Sequence, residues 1–319
     1  MSERPLLSRL SWRVLLPVAA LIVTALALVM GPVRQAVAQD GPQAFAVYTA
    51  DNTTLTLYKA DEVPSVGDTY EGHVVTNVFP IDESDTYFGE SPFADVANVV
   101  KNVEVADCGD NKISPVSMDH WFEDFTNLIE VDGWEYADTS RVTNMSYMFS
   151  FTNLSGGLSA PELNTSSVTN MSNMFSYNKG LKTPDFSHWD VSEVTDMSYM
   201  FANCTALSAP KLSSWEPSKV TTMKQMFYQC TALTSLDFSG WNTPELKNLS
   251  DAFFQDAALT SLDFEGWSAP KISNLQSTFN QCSALTELDL SSWGASKVTD
   301  TSSTFLGCTS LATLDLSGI

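Results

Sequence analysis

The chain has 319 residues, 44% hydrophobic and 17% charged, and carries a formal charge of −22 from 16 Lys and Arg against 38 Asp and Glu. So acidic a chain repels phosphate backbones and anionic lipid, which sets nucleic-acid binding and electrostatic attachment to a membrane surface aside. The length suits one or two domains.

The chain opens with Arg4, Arg9 and Arg13 ahead of the apolar run Val14–Met30, VLLPVAALIVTALALVM, followed by AVAQD with a small-x-small site after Ala38. That is the layout of a secretory signal peptide over residues 1–38. The 17-residue run also suits an uncleaved signal anchor, the one form of membrane attachment expected here. The arginine asymmetry keeps the N-terminus inside, so both readings place the rest of the chain outside the cell. Cleavage would remove four arginines and one acid, Glu3, leaving a charge of −25. No cysteine follows the run to take a lipid, and no sorting motif closes the C-terminus.

Residues 39–115 read as a small β-rich N-terminal capping domain. AFAVYTADNTTLTLYKA alternates on both sides of Asp51–Thr53 and predicts a hairpin, and HVVTNVF and NVVKNVEVAD predict further strands. Capping is expected because a terminal repeat exposes an apolar side. A separate ligand-binding head is the alternative. Trp121 to Trp134, WFEDFTNLIEVDGW, reads as a degenerate first repeat in which Phe125 and Leu128 keep the core type while the spacing slips.

From there one pattern recurs every 26 residues: VTNMSYMF at 142, VTNMSNMF at 168, VTDMSYMF at 194, VTTMKQMF at 220, LKNLSDAF at 246, ISNLQSTF at 272 and VTDTSSTF at 298. Trp189, Trp215, Trp241, Trp267 and Trp293 keep the same step, as do Cys204, Cys230, Cys282 and Cys308, with Asp256 in the skipped place. A fixed period of this length marks units that bury an apolar face only by stacking on one another. Val194, Met197, Met200, Phe201 and Cys204 follow a 3.6-residue period, which predicts a short helix capped by Ser192 or Thr195. LTSLDFSGW, with Leu233, Leu236, Phe238 and Trp241 inward, predicts a strand. The expected fold is an α/β solenoid over 116–319: a leucine-rich-repeat-like stack of about seven strand–helix rungs, roughly 35 Å long at ~4.8 Å per parallel strand. The last strand, LATLDLSGI, stops at Ile319 where earlier units carry Trp, which reads as truncation, or as an end that docks onto something.

The units VTDMSYMFANCTALSAPKLSSW and KVTTMKQMFYQCTALTSLDFSGW resemble the 26-residue repeats of the BspA-like leucine-rich-repeat surface proteins, the DUF285 type, over about 120–319. The resemblance implies an extracellular protein of the bacterial cell envelope, with adhesion or partner binding as its role. It carries over no binding residues.

The cysteine row reads as buried thiols filling the core, since parallel side-chain vectors disfavour bridges. Cys204 with Cys230 and Cys282 with Cys308 are the adjacent pairs a bridge would join. Cys108 has no partner in phase, and His73, His120 and His188 lie outside the row with no CxxC, so no metal centre is expected. In LDF and LDL the central Asp points away from the core. The 26-residue step lines up Asp237, Asp263, Asp289 and Asp315, with Asp185 beyond Lys211 in the same row. This stripe is the candidate binding site, for a basic partner or for Ca²⁺, which prefers clustered oxygens. The alternative is that its carboxylates are solvated or bonded to nearby Ser and Thr. No GxSxG, HExxH or phosphate-binding loop is present, so no catalytic residue and no other cofactor is assigned. The functional expectation is an extracellular bacterial surface repeat protein. It would mediate adhesion or protein or glycan binding through its exposed sheet face, with host or bacterial surface proteins or glycans as partners. A passive envelope protein or a truncated, non-binding family member is the alternative.

Overall fold

A computed structural model describes residues 41–319 except 71, 87–88 and 159–162; the expected signal segment lies outside the described residues. The chain divides into Met1–Asp40 and Gly41–Ile319, and the second unit is described below.

Strands β1 (Gln43–Thr49) and β2 (Thr54–Ala60) form the hairpin that their alternation predicts, in register from Gln43↔Ala60 to Thr49↔Thr54. Asn52 makes the turn: its Oδ1 accepts the Thr54 N–H at 3.1 Å, and Thr53 takes a left-handed φ of 56°. The short β3 (Thr69–Tyr70) and β4 (His73–Pro80) extend the hairpin on the β1 side. On the β2 side, β5 (Asn102–Val105), β6 (Glu130–Asp132) and β7 (Gly157–Leu158) add in parallel. The sheet order is β3-β4-β1-β2-β5-β6-β7, so an antiparallel hairpin passes directly into parallel, repeat-type pairing. Further along, β8 (Ser235–Asp237) pairs in parallel with β9 (Ser261–Asp263), and β10 (Glu287–Asp289) with β11 (Thr313–Asp315).

The helical half of the expected strand–helix rung is overturned. No α-helix occurs among the described residues, and helical geometry is limited to two 3₁₀ turns, Ala94–Val96 and Trp134–Tyr136. In the segment that opens with Met145, the Met148 N–H bonds Met145 O at 3.3 Å and the Ser150 N–H bonds Tyr147 O at 3.0 Å, closing single turns. The alternate amides of Met145, Tyr147, Phe149 and Phe151 leave the segment altogether and donate to Asn170, Ser172, Met174 and Ser176 of the next unit. Tyr147 and Phe151 have φ of 57°, and the same two places are left-handed in each later unit, as at Asn173 and Tyr177 or Gln225 and Gln229. A left-handed residue every fourth position stops an α-helix from propagating, and half of the amides are already committed to a neighbour. The rung is therefore a coil of tight turns zipped to the next rung, and the buried residues fall three and four apart because the chain turns that often.

Three corners of the rung are held by the same device, a side-chain oxygen accepting the backbone N–H two residues on. Asp138, Asn164 and Asp190 do so for Ser140, Ser166 and Ser192. Asn144, Asn170, Asp196, Asn248, Asn274 and Asp300 do so at a second corner, where parallel bridges also run from Ser117 through each of these units to Asp300. Asp185, Asp237, Asp263, Asp289 and Asp315 do so at the third. The degenerate first unit enters one residue out of step, Ser117 pairing with Asn144.

The core is a set of stacked rows. Phe122, Phe149, Phe175, Phe201, Phe227, Phe253, Phe279 and Phe305 form a continuous file with centroids 5.4 to 5.7 Å apart. Trp215 and Trp241 stack beside it at 6.0 Å, and their indole N–H groups donate to the carbonyls of Phe186 and Leu212. All five cysteines are free. In the last unit Leu314 and Leu316 are exposed, whereas their counterparts Leu288 and Leu290 are buried.

Candidate functional site

The strand face carries the stripe. Strand alternation buries Leu236 and Phe238 and turns Asp237 outward, and the same holds around Asp289. Asp237 sits directly beside Asp263 in the β8–β9 pair, and Asp289 beside Asp315 in the β10–β11 pair. The two pairs belong to separate two-stranded ladders, so the row is interrupted between Asp263 and Asp289. Each of the four spends one carboxylate oxygen on its corner: Oδ1 accepts the N–H of Ser239, Glu265, Ser291 or Ser317 at 2.8 to 2.9 Å. The Ser317 hydroxyl, with its backbone N–H, holds the Asp315 carboxyl below the usual range.

Lys211, in the same row, reaches back to Asp185 at 2.5 Å, and that ion pair, with Ser187, depresses the Asp185 carboxyl. Among the described residues none of the four stripe aspartates has an ion-pair partner. A groove of about 730 Å³ opens over this face, lined by Lys211, Ser235, Asp237, Ser261, Asp263 and Glu287. A smaller one of about 360 Å³ lies between Asp263, Glu265, Asp289 and Ser291. Among the described residues no group of three or more His, Cys, Asp or Glu side chains is arranged to hold a metal ion. A straight row whose members each keep one oxygen tied to backbone does not converge as the six to eight oxygens of a Ca²⁺ cage must.

Two clusters escape the 26-residue reading. In the first unit Asp119 and Glu123 stand where the next unit has Ser146 and Ser150. Asp119 is buried and accepts the Ser146 hydroxyl at 2.6 Å, with His120 Nδ1 2.8 Å away. Glu123 lies 3.6 Å from His120 Nε2, and its desolvation raises its carboxyl above the ordinary value, against the pull of His120. The imidazole stacks on Tyr147 at 4.6 Å. Ser146 donates to Asp119 and also contacts Asn144, and both Ser146 and Asp119 are buried, so the contact clasps the first unit to the second. The other cluster surrounds Asp256, in the cysteine row. Its signal in the sequence is the break in that row.

The family model described as "Mycoplasma protein of unknown function, DUF285" matches residues 116–235 and 209–317. The chain belongs to the DUF285 family. This makes it a BspA-like leucine-rich-repeat surface protein, in keeping with the resemblance carried by the Met-Phe, Cys and Trp rows. Among solved structures the DUF285 chain is similar to a leucine-rich repeat protein from Eubacterium ventriosum, at 15% identity over 83% of this chain and 92% of that one, with a TM-score of 0.30. It is also similar to a leucine-rich repeat protein from Bacteroides ovatus, at 14% identity over 86% and 88%, with a TM-score of 0.23. A chain of the Drosophila Toll–Spatzle complex matches at 16% identity over 72% of this chain and 35% of that one, with a TM-score of 0.26. No curated protein matches the chain in sequence.

Proposed function

We propose that this DUF285 chain is an exported, non-enzymatic adhesion protein that binds a protein or glycan of a host or bacterial surface through the strand face of β8 to β11. The observation that supports the reading is the groove of about 730 Å³ on that face, lined by Asp237, Asp263 and Glu287 together with Ser235 and Ser261. Carboxylates with one oxygen free and no ion-pair partner favour a partner that brings cationic or hydrogen-bond-donating groups. In this reading residues 1–38 direct export and residues 39–115 cap the stack.

The test compares the full chain with a variant carrying Asp→Asn at 237, 263, 289 and 315, for binding to mucin, matrix proteins and epithelial cells. Asn keeps the corner hydrogen bond, as Asn144, Asn170 and Asn248 do at the second corner, so the variant folds while losing the charge. Saturable binding that the variant loses is the expected result. A folded parent that shows no saturable binding would leave a passive envelope role. The basic-partner and Ca²⁺ versions separate in a calcium titration, where an unchanged melting temperature removes the cation.

A further inference from the structure

Behind the phenylalanine file runs a second row, Thr152, Asn178, Cys204, Cys230, Asp256, Cys282 and Cys308. Its thiols share one role. Cys204, Cys230, Cys282 and Cys308 donate to the carbonyl oxygens of Phe175, Phe201, Phe253 and Phe279, each at 3.0 Å and each 29 residues earlier. Stepping by one unit makes Phe227 O the matching acceptor at Asp256, which has no thiol to offer. Asp256 is wholly buried. Its Oδ1 accepts the Cys230 N–H at 2.7 Å, and its Oδ2 has no partner. Among the described residues the titratable groups that face it are the thiols of Cys230 and Cys282, both buried in the same row. Among the described residues no cation compensates a charge here.

We propose that Asp256 is held in the folded chain as the neutral acid, its Oδ2–H taking the donor role that thiols take in neighbouring rungs. Loss of that proton is then an alkaline release built into the middle of the stack. An ionised carboxylate would keep a single N–H donor in an apolar row, an arrangement that costs far more than any neutral side chain there. Burial pushes the carboxyl well above the usual range, in keeping with this assignment. The sign follows from linkage. The folded state holds the proton more tightly than the unfolded chain, so this contribution is fully present below the unfolded value of about 4 and drains away as pH rises through the folded value.

The experiment melts the full chain, D256N and D256C from about pH 5 to about pH 9, the range in which buried carboxyls titrate, following tryptophan fluorescence. Cys restores the residue found at Cys204, Cys230, Cys282 and Cys308, so D256C serves where D256N fails to fold. The expected result is a melting temperature that falls with pH for the wild type relative to D256C from about pH 5 upward, until the folded carboxyl ionises or the introduced thiol, with an unfolded value of about 8.5, begins to titrate as well. Infrared spectra of the wild type at neutral pH should also contain a protonated-carboxyl C=O band that D256C lacks. Parallel melting curves, or absence of that band, would overturn the proposal.

Discussion

The phenylalanine file makes a quantitative claim about position along the stack. Phe227 is 1% exposed and lies between Phe201 at 5.4 Å and Phe253 at 5.7 Å, with Phe238 edge-on at 6.3 Å. Truncating a buried Phe to Ala costs about 3–5 kcal/mol, and three lost ring contacts place F227A at the upper end of that range, near 5 kcal/mol. Phe305 has one file neighbour, Phe279 at 5.7 Å, and is only partly buried. Its truncation loses part of one side chain's burial and one ring pair, about 1–2 kcal/mol. Because each rung touches only its neighbours, unfolding need not be two-state, so the assay is native-state hydrogen exchange alongside urea denaturation. F227A should speed exchange at the Phe201 and Phe227 amides, which bridge to Met226 and Ala252, while the β1–β2 hairpin stays protected. Equal costs for F227A and F305A, or a cost below about 1 kcal/mol for F227A, would refute the stacked-file account.

Gly133 has φ of 83°, and a Cβ there would sit 2.3 Å from the Val105 carbonyl oxygen of β5. G133A should therefore lower stability by about 2–5 kcal/mol, from backbone strain plus the clash, read as a loss of melting temperature. Native-state thiol labelling should modify the partly exposed Cys108 and Cys308 first, because burial raises the Cys204, Cys230 and Cys282 thiols far above the ordinary range. Equal labelling rates at all five would contradict the buried row. On the acid side, the hydroxyls and amides of Ser140, Ser192 and Ser302 hold Asp138, Asp190 and Asp300 below the usual carboxylate value. Such depressed groups stabilise the fold above about pH 4 and lose that contribution as pH falls through their folded values. D190N keeps the corner bond, as Asn164 does one unit earlier, and should flatten the acid limb of the melting profile by lowering neutral-pH stability towards its acid value.

The correction to the rung has a specific physical origin. Val194, Met197, Met200 and Phe201 are all buried, as their 3.6-residue spacing implies, but spacing reports only which side chains face inward. It does not say where the amides go. A helix sends them four residues back, and here alternate ones go 25 residues forward, as from Met197 to Thr222. The composition hinted at this, since Asn, Ser, Thr and Tyr crowd the segment and Asn/Asp-x-Ser recurs at the corners, the pattern of side-chain-bonded turns. The outward aspartates were readable because strand alternation has a period of two. Their tied Oδ1 atoms, and the gap between Asp263 and Asp289, depend on local turns and sheet breaks that periodicity does not encode.

By itself the sequence determined the 26-residue unit, the residues that face inward, the β1–β2 hairpin and the DUF285 kinship, because all of these follow from periodic patterning along one dimension. Only the tertiary structure decided that the rungs are turns zipped amide to carbonyl, that Asp119 and His120 clasp Ser146, and that Asp256 has an oxygen without a partner. Those depend on which atoms of neighbouring units come within hydrogen-bond distance, and pairing across units is set in three dimensions.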